Sequence, residues 1–264
     1  MVKKLDIRIE NVQEAYDGPI GILWEMLMGD QIHIGGAKET DILAKKAGIK
    51  KDSHVLDVCS AVGGPARYLT RNYGCKVTGL DATPTMISEA IKRTKGTGLE
   101  DLLEFKLGNA LDMPFRANTF DVVWGQDAWC YITDKNRLIA ECHRVLKPKG
   151  TIAFTDWLMS KNASEEELEA YNTFMIFPYM ETLDGYANLL ENNGFEVVEK
   201  EDLGEQFRSY MHVYRDKFRN ELKNAVIQAY GQEMFDTADE GIAICVKAAD
   251  DGKATRGRLI GRKR

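Results

Sequence analysis

The chain has no apolar run approaching the roughly 18 residues needed to cross a bilayer, so the sequence offers no membrane-spanning segment. Its cysteines are few and badly placed for a scaffold. Cys59, Cys75, Cys130, Cys142 and Cys245 are odd in number and form no C-x-x-C pair, which speaks against a disulfide framework and against a zinc site. No metal is expected. Positive charge is not in excess either. The formal net charge is −6, the wrong sign for a general nucleic-acid surface. The basic C-terminal run RGRLIGRKR reads as a final strand, Arg258 to Gly261, with solvated charged ends rather than a binding tail. The opening residues MVKKLDIRIENV are charged and amphipathic, unlike a signal peptide, so a cytoplasmic location is expected. Internal repeats and low-complexity stretches are absent. None of this fixes an oligomeric state.

What is present is a core and a rhythm. With 44% hydrophobic residues over 264 positions, the chain can bury one α/β domain with insertions. Residues 1–36 read as a helical segment, with Ile20, Leu23, Trp24 and Leu27 at helical spacing and Gly29, Gly35 and Gly36 as punctuation. A helix from Glu39 to Ala47 follows. Short β-rich runs then alternate with helical ones. HVLDVCS, CKVTGLDA, LEFKLGNA, FDVVWGQDA and TIAFTDWL read as strands, with helices opening at Gly63-Gly64-Pro65, Pro84 and Lys135 between them. That alternation predicts a parallel sheet covered on both faces. Beyond Trp157 the spacing predicts helices over SEEELEAYNTFMIF and LDGYANLLENNGF, and a sixth strand over FEVVEKEDL. It also predicts a single inserted helix over 205–231 and a last, antiparallel strand near 257–262.

In such a sheet ligands bind beyond the carboxyl ends of the strands. The first strand ends at Asp57, and the turn after it holds Ser60 and Gly63 before a helix begins. Small residues there allow close backbone approach, and the helix N-terminus favours a carboxylate. The second strand ends at Asp81, followed by Ala82 and Thr83. An acidic tip at that place accepts hydrogen bonds from ribose hydroxyls. No full G-x-G-x-x-G is present, so a pyrophosphate is not called for. Asn109 and Ala110 follow the third strand and suit an adenine edge. Gln126 and Trp129, after the fourth, would lie near a reacting centre.

The ordered stretches VLDV…GG, GLDAT, GNALDMPF, FDVVWGQDA and RVLKPKG resemble the class I methyltransferases that use S-adenosylmethionine (SAM). The family pattern carries glycine at alternate positions after Asp57; here Cys59 and Ala61 replace two of them. The resemblance implies SAM as cofactor and a Rossmann-like, seven-stranded, mostly parallel sheet with an antiparallel last strand. It also implies an N-terminal helical lid over 1–36, set on a methyltransferase domain over 37–264.

The flanks narrow the resemblance. YDGPIGILWEMLMGDQIHIGG, GQDAWCYITDKNRLIAECHRVLKPKGTIAFTD, MHVYRDKFRNEL and DGKATRGRLIGRK are similar to the small-amine N-methyltransferases acting on sarcosine, dimethylglycine or phosphoethanolamine. The resemblance thus implies a small-molecule acceptor, with glycine, sarcosine or dimethylglycine foremost and a betaine-type product. C- or O-methylation of a larger apolar acceptor is the alternative, and a non-catalytic SAM-binding module a third reading. Tyr16 aligns with a lid tyrosine of the family. Tyr131 stands where the related enzymes tend to have histidine, and phenol, with a pKa near 10, is a poor base at neutral pH. His212 is a third candidate for the chemistry. Trp24 and His33 are candidates for the acceptor pocket, with Arg208 and Tyr214 on the inserted helix as further binding groups; a carboxylate or phosphate would need such a donor.

Overall fold

The computed structural model describes residues 4–264. The N-terminal helical segment is two helices, α1 (Ile9–Asp17) and α2 (Pro19–Met28), broken at Gly18-Pro19, then a 3₁₀ turn (Gly29–Gln31) and α3 (Gly36–Ala47). The alternating part follows: β1 (His54–Val58), α4 (Gly64–Tyr73), β2 (Lys76–Asp81), α5 (Pro84–Thr94), β3 (Leu103–Leu107), β4 (Phe120–Gln126), α6 (Lys135–Val145) and β5 (Leu146–Met159). The rest comprises α7 (Glu169–Met175), α8 (Leu183–Asn192), β6 (Phe195–Asp202), α9 (Gly204–Lys217), a π turn (Phe218–Leu222), α10 (Lys223–Tyr230), α11 (Gln232–Asp250) and β7 (Ala254–Lys263).

Seven strands form one sheet in the order β3-β2-β1-β4-β5-β7-β6. All neighbours run parallel except β7, which pairs antiparallel with both β5 and β6. Side chains alternate between the faces as strand geometry requires. Leu56, Val123, Ile152 and Leu259 pack against α6 and α8, while Val55, Trp124, Ala153 and Ile260 pack against α3 and α4. The chain winds from β1 outward to β3, then returns to β4 on the other side of β1. The carboxyl ends of β1 and β4 therefore flank the switch point of the sheet, where a crevice opens.

The expected insertion over 205–231 is helical without a break from Gly204 to Tyr230, with a π turn at Phe218–Leu222 inside it, and Phe218 stacks on Phe235 with ring centroids 4.9 Å apart. Three sequence expectations need correction. The 19-residue α11 has no counterpart in the sequence reading. Only Glu169–Met175 of the stretch 164–177 is regular helix. The last strand is longer than expected, and its arginines are not solvated ends: Arg256 and Arg258 are buried in ion pairs. Among the described residues no helix is long and apolar enough to cross a membrane.

Candidate active site

A cavity of about 380 Å³ lies at the switch point, within the usual size of a small-molecule site. Its floor is the carboxyl ends of β1, β2 and β4, and α1 with the residues before it forms one wall. Asp57, at the tip of β1, is buried, and its Oδ2 has no hydrogen-bond partner; neither has the Ser60 hydroxyl. Buried polar atoms without partners are uncommon and costly, and here both belong to residues lining an open space. Burial, then the negative charge of Asp81, pushes the Asp57 carboxyl up to about 7.

Asp81 does two jobs. Its Oδ1 accepts from the Thr83 backbone N–H and its Oδ2 from that of Ala61, each at 2.9 Å. A carboxylate has about four acceptor positions, so both oxygens retain capacity for ligand hydroxyls. The bond to Ala61 also ties down the loop after β1, whose Cys59 and Ser60 N–H groups both reach Leu80 O. Burial raises the Asp81 pKa as well.

That loop is strained. Cys59 (φ 66°), Ala61 (φ 44°) and Gly63 (φ 77°) alternate in the left-handed region, which costs an L-residue with a side chain roughly 1–2 kcal/mol. Ile32 (φ 47°) and Asp127 (φ 55°) share it. Of the seven non-glycine residues with positive φ among the described residues, these four line the cavity: Ile32, Cys59, Ala61 and Asp127. Strain of this kind concentrates at functional sites. At Gly64 a side chain is excluded outright, since a Cβ would lie 2.0 Å from Asp30 O.

On the opposite side of the cavity Tyr16 donates to the Tyr131 hydroxyl at 3.1 Å, with the rings edge to face at 5.6 Å. Desolvation raises both phenol pKa values, so neither ionises near neutrality. Asp127, after β4, receives the Ile34 N–H at 2.9 Å on one oxygen and Arg256 Nε at 2.8 Å on the other. No group of three or more potential metal ligands occurs among the described residues.

Comparison with known proteins sets this geometry in a family. The family described as "Methyltransferase domain" matches residues 56–154. A glycine/sarcosine/dimethylglycine N-methyltransferase from Actinopolyspora halophila is 31% identical over 249 residues, covering 89% of this chain and 43% of that protein. A sterol 24-C-methyltransferase from Saccharomyces cerevisiae is 36% identical over 183 residues, covering 67% and 48%. The crystallised phosphoethanolamine N-methyltransferase 2 of Haemonchus contortus, in complex with SAM, superposes with a TM-score of 0.85 at 21% identity, over 95% of this chain and 59% of that one. Residues 56–154 carry a methyltransferase domain, and the chain is similar to SAM-dependent methyltransferases over most of its length. It spans about half the length of the curated relatives it matches first.

Eight of the ten residues expected to hold the cofactor line this cavity: Asp57, Ser60, Asp81, Ala82, Thr83, Asn109, Ala110 and Gln126. The Asn109 side-chain oxygen accepts from Leu111 N–H at 2.8 Å, which shapes the turn after β3. Gly63 stands behind the lining, where its left-handed backbone lets α4 begin. Trp129 does not wall the pocket. It is buried, stacked on Phe154 at 4.3 Å, and donates its indole N–H to Val58 O.

Of the expected chemical and acceptor groups, the structure brings only Tyr16 and Tyr131 to the cavity. His212 lies on the exposed side of α9 and pairs with Asp250 at 2.9 Å. Trp24 packs into the helical core, and Arg208 is exposed away from the cavity. Tyr214 accepts from Gly35 N–H at 3.1 Å. His33 is buried, its Nδ1 against Ile34 O and its Nε2 2.9 Å from Thr40 Oγ1, and burial lowers its pKa to about 4. A neutral ring with Nδ1 protonated satisfies both contacts, which is a structural role. The residues that sequence reasoning missed are on α1 and after β4. Gln13 donates to Ala82 O at 2.6 Å, and Asp127 anchors Ile34. Gln13 carries no motif signal, whereas Asp127 stands in the FDVVWGQDA motif, where its acidic side chain at the end of a strand is a signal.

Proposed function

We propose that this chain transfers a methyl group from SAM to the nitrogen of an amine held beside Tyr16 and Tyr131. The observation that carries the reading is one cavity holding two unlike halves. On one side are a buried carboxylate oxygen and a hydroxyl lacking partners; on the other is a pair of neutral phenols. Asp57 and Ser60 suit the amino-acid end of SAM, Asp81 the ribose hydroxyls, and the turn at Asn109-Ala110 the adenine. When bound, SAM supplies an electrophilic methyl on a sulfonium, which passes to the amine lone pair as the C–S bond breaks and its electrons return to sulfur. The protein's share is placement, which supplies about 7–11 kcal/mol in well-oriented systems. The Tyr16 and Tyr131 hydroxyls orient the amine by hydrogen bonding. Their ring faces favour the methylammonium product by about 0.5–2 kcal/mol each where desolvated. Neither phenol takes a proton at neutral pH, so the amine reacts in its neutral form and the product's proton leaves to water.

The relatives that act on amines by name support nitrogen as the target. Glycine, sarcosine and dimethylglycine are the smallest acceptors consistent with them. The residues before Asp17 act as the lid on this reading, since they wall the cavity. The test is methyl transfer from labelled SAM to a panel of amines, with Tyr16→Phe and Tyr131→Phe alongside. Loss of one positioned hydroxyl is expected to lower kcat about tenfold, with SAM affinity unchanged. Unchanged kcat in both variants would remove the phenol pair from the chemistry. Failure of the parent protein to bind SAM would end the reading itself.

A further inference from the structure

The acceptor's charge can be read from what the cavity lacks. Three carboxylates line it at depth, Asp57, Asp81 and Asp127. The one cationic side chain among the described lining residues is Arg8. Arg8 has a side chain 74% exposed and paired with the still more exposed Asp6. The buried guanidiniums nearby are spent: Arg256 is held by Asp127 and Glu39, and Arg67 by both oxygens of Asp30. Neither lines the cavity. The lining offers aliphatic side chains instead, from Ile7, Ile9, Val12 and Ile132.

An anion taken from water into such a place needs a cation or several aligned donors, and a carboxylate or phosphate is ordinarily met by arginine or lysine. Glycine, sarcosine and phosphoethanolamine each carry one of those groups. Resting on the methyl-transfer reading above, we propose that the acceptor is an amine on an apolar frame, bearing neither carboxylate nor phosphate. Its frame lies along Ile7, Ile9, Val12 and Ile132, and its nitrogen at the Tyr16 and Tyr131 hydroxyls. Asp127 is neutralised by Arg256, but Asp57 and Asp81 leave the depth of the cavity acidic, which fits this assignment because both SAM and the methylammonium product carry positive charge.

The experiment compares matched acceptors with the full chain. N-methylbenzylamine and its para-carboxylate differ only in the anion, and sarcosine and phosphoethanolamine represent the small anionic amines. Transfer of labelled methyl from SAM is expected to favour N-methylbenzylamine over each anionic amine by about tenfold or more in kcat/KM, the scale of one lost charge-assisted hydrogen bond. Equal or better use of an anionic amine overturns the proposal while leaving methyl transfer intact. So does transfer to a neutral alcohol or sterol with no amine used. If no panel member is turned over, calorimetry on the S-adenosylhomocysteine complex decides with the same pair. Tighter binding of the uncharged-frame amine upholds the proposal. Equal binding of the carboxylate, or binding of neither, overturns it. Absence of S-adenosylhomocysteine binding is a different failure, that of the methyltransferase reading.

Discussion

Asp57 is a buried acid with an unpartnered oxygen, and its pKa near 7 makes ligand binding depend on pH. A cationic ammonium placed against it favours the ionised form, so the bound-state pKa falls. Below pH 7 the free protein holds a proton that binding must release. SAM affinity should therefore drop as pH falls below about 7, by up to tenfold per unit. The sign for folding is opposite. A carboxyl whose folded pKa lies above its ordinary 3.8 stabilises the unliganded fold as pH falls from about 7, and that contribution is lost above it. Calorimetry across pH, in buffers of different ionisation enthalpy, reads the released proton directly. Asp57→Asn should weaken binding and flatten the pH profile; a profile unchanged by the substitution would clear Asp57 of the role. The same loop yields a stability prediction. Ala61→Gly relieves roughly 1–2 kcal/mol of left-handed strain and returns roughly 0.4–1 kcal/mol as unfolded-chain entropy. A net gain of about 0.5–1 kcal/mol in urea unfolding is expected. Sequence alone showed that glycines were replaced here; only the backbone shows that the replacements keep the glycine conformation.

At the scale of elements, β7 is joined to α3 through buried charge as well as through the apolar packing of Ile260. Arg256 and Arg258 both reach Glu39 Oε2, at 3.3 and 2.7 Å, and Gln206 of α9 donates to its other oxygen at 2.9 Å. Glu39 is fully buried, as is Arg256. Glu39→Ala strips the two guanidiniums of their shared partner, and removing one member of a buried pair costs about 3–5 kcal/mol. Urea unfolding should show that loss, whereas Lys45→Ala on the exposed side of α3 should cost little. This network explains part of what the sequence hid. RGRLIGRK is visibly a strand, but nothing local says its first arginines turn inward to a glutamate more than two hundred positions earlier. The parallel core was legible because β1, β2 and β4 are short, largely apolar runs with alternate faces buried on different helices. The missed α11 was legible in principle: Phe235, Ala238, Ile242, Cys245 and Val246 mark one face at helical spacing. Its Gly241, which costs a helix about 1 kcal/mol, obscures the pattern. The glycine is there because the Phe174 ring occupies the space of its missing side chain. The single inserted helix expected over 205–231 is there, and what composition does not reveal is the π turn inside it, at Phe218–Leu222.

For the whole molecule, the question is how a ligand reaches a cavity walled by the segment before Asp17. That segment is joined to the domain by few bonds: Gln13 to Ala82 O, Tyr16 to the Tyr131 hydroxyl, Leu5 N–H to Pro178 O and Lys4 to Thr133 O, with Thr85 donating to Asp17 at its end. The next stretch is bolted down, with Arg67 bidentate on Asp30 and Arg93 bidentate on Glu25. Opening thus costs least in α1, with Gly18 as the natural pivot because α1 ends and α2 begins on either side of it. Elements with few tertiary bonds open at lower free energy than the core. S-adenosylhomocysteine at a hundred times its Kd adds about 2.7 kcal/mol to global stability by mass action, and hydrogen exchange should show where the ordering falls. Protection is expected to rise most in residues 9–17 and in the loop after β1, and least in the already secured β7. Slowed exchange in the loop with none in α1 would mean that the ligand binds without the N-terminal wall. The lid would then have to be sought elsewhere around the mouth, and the aliphatic residues of α1 would no longer help select the acceptor.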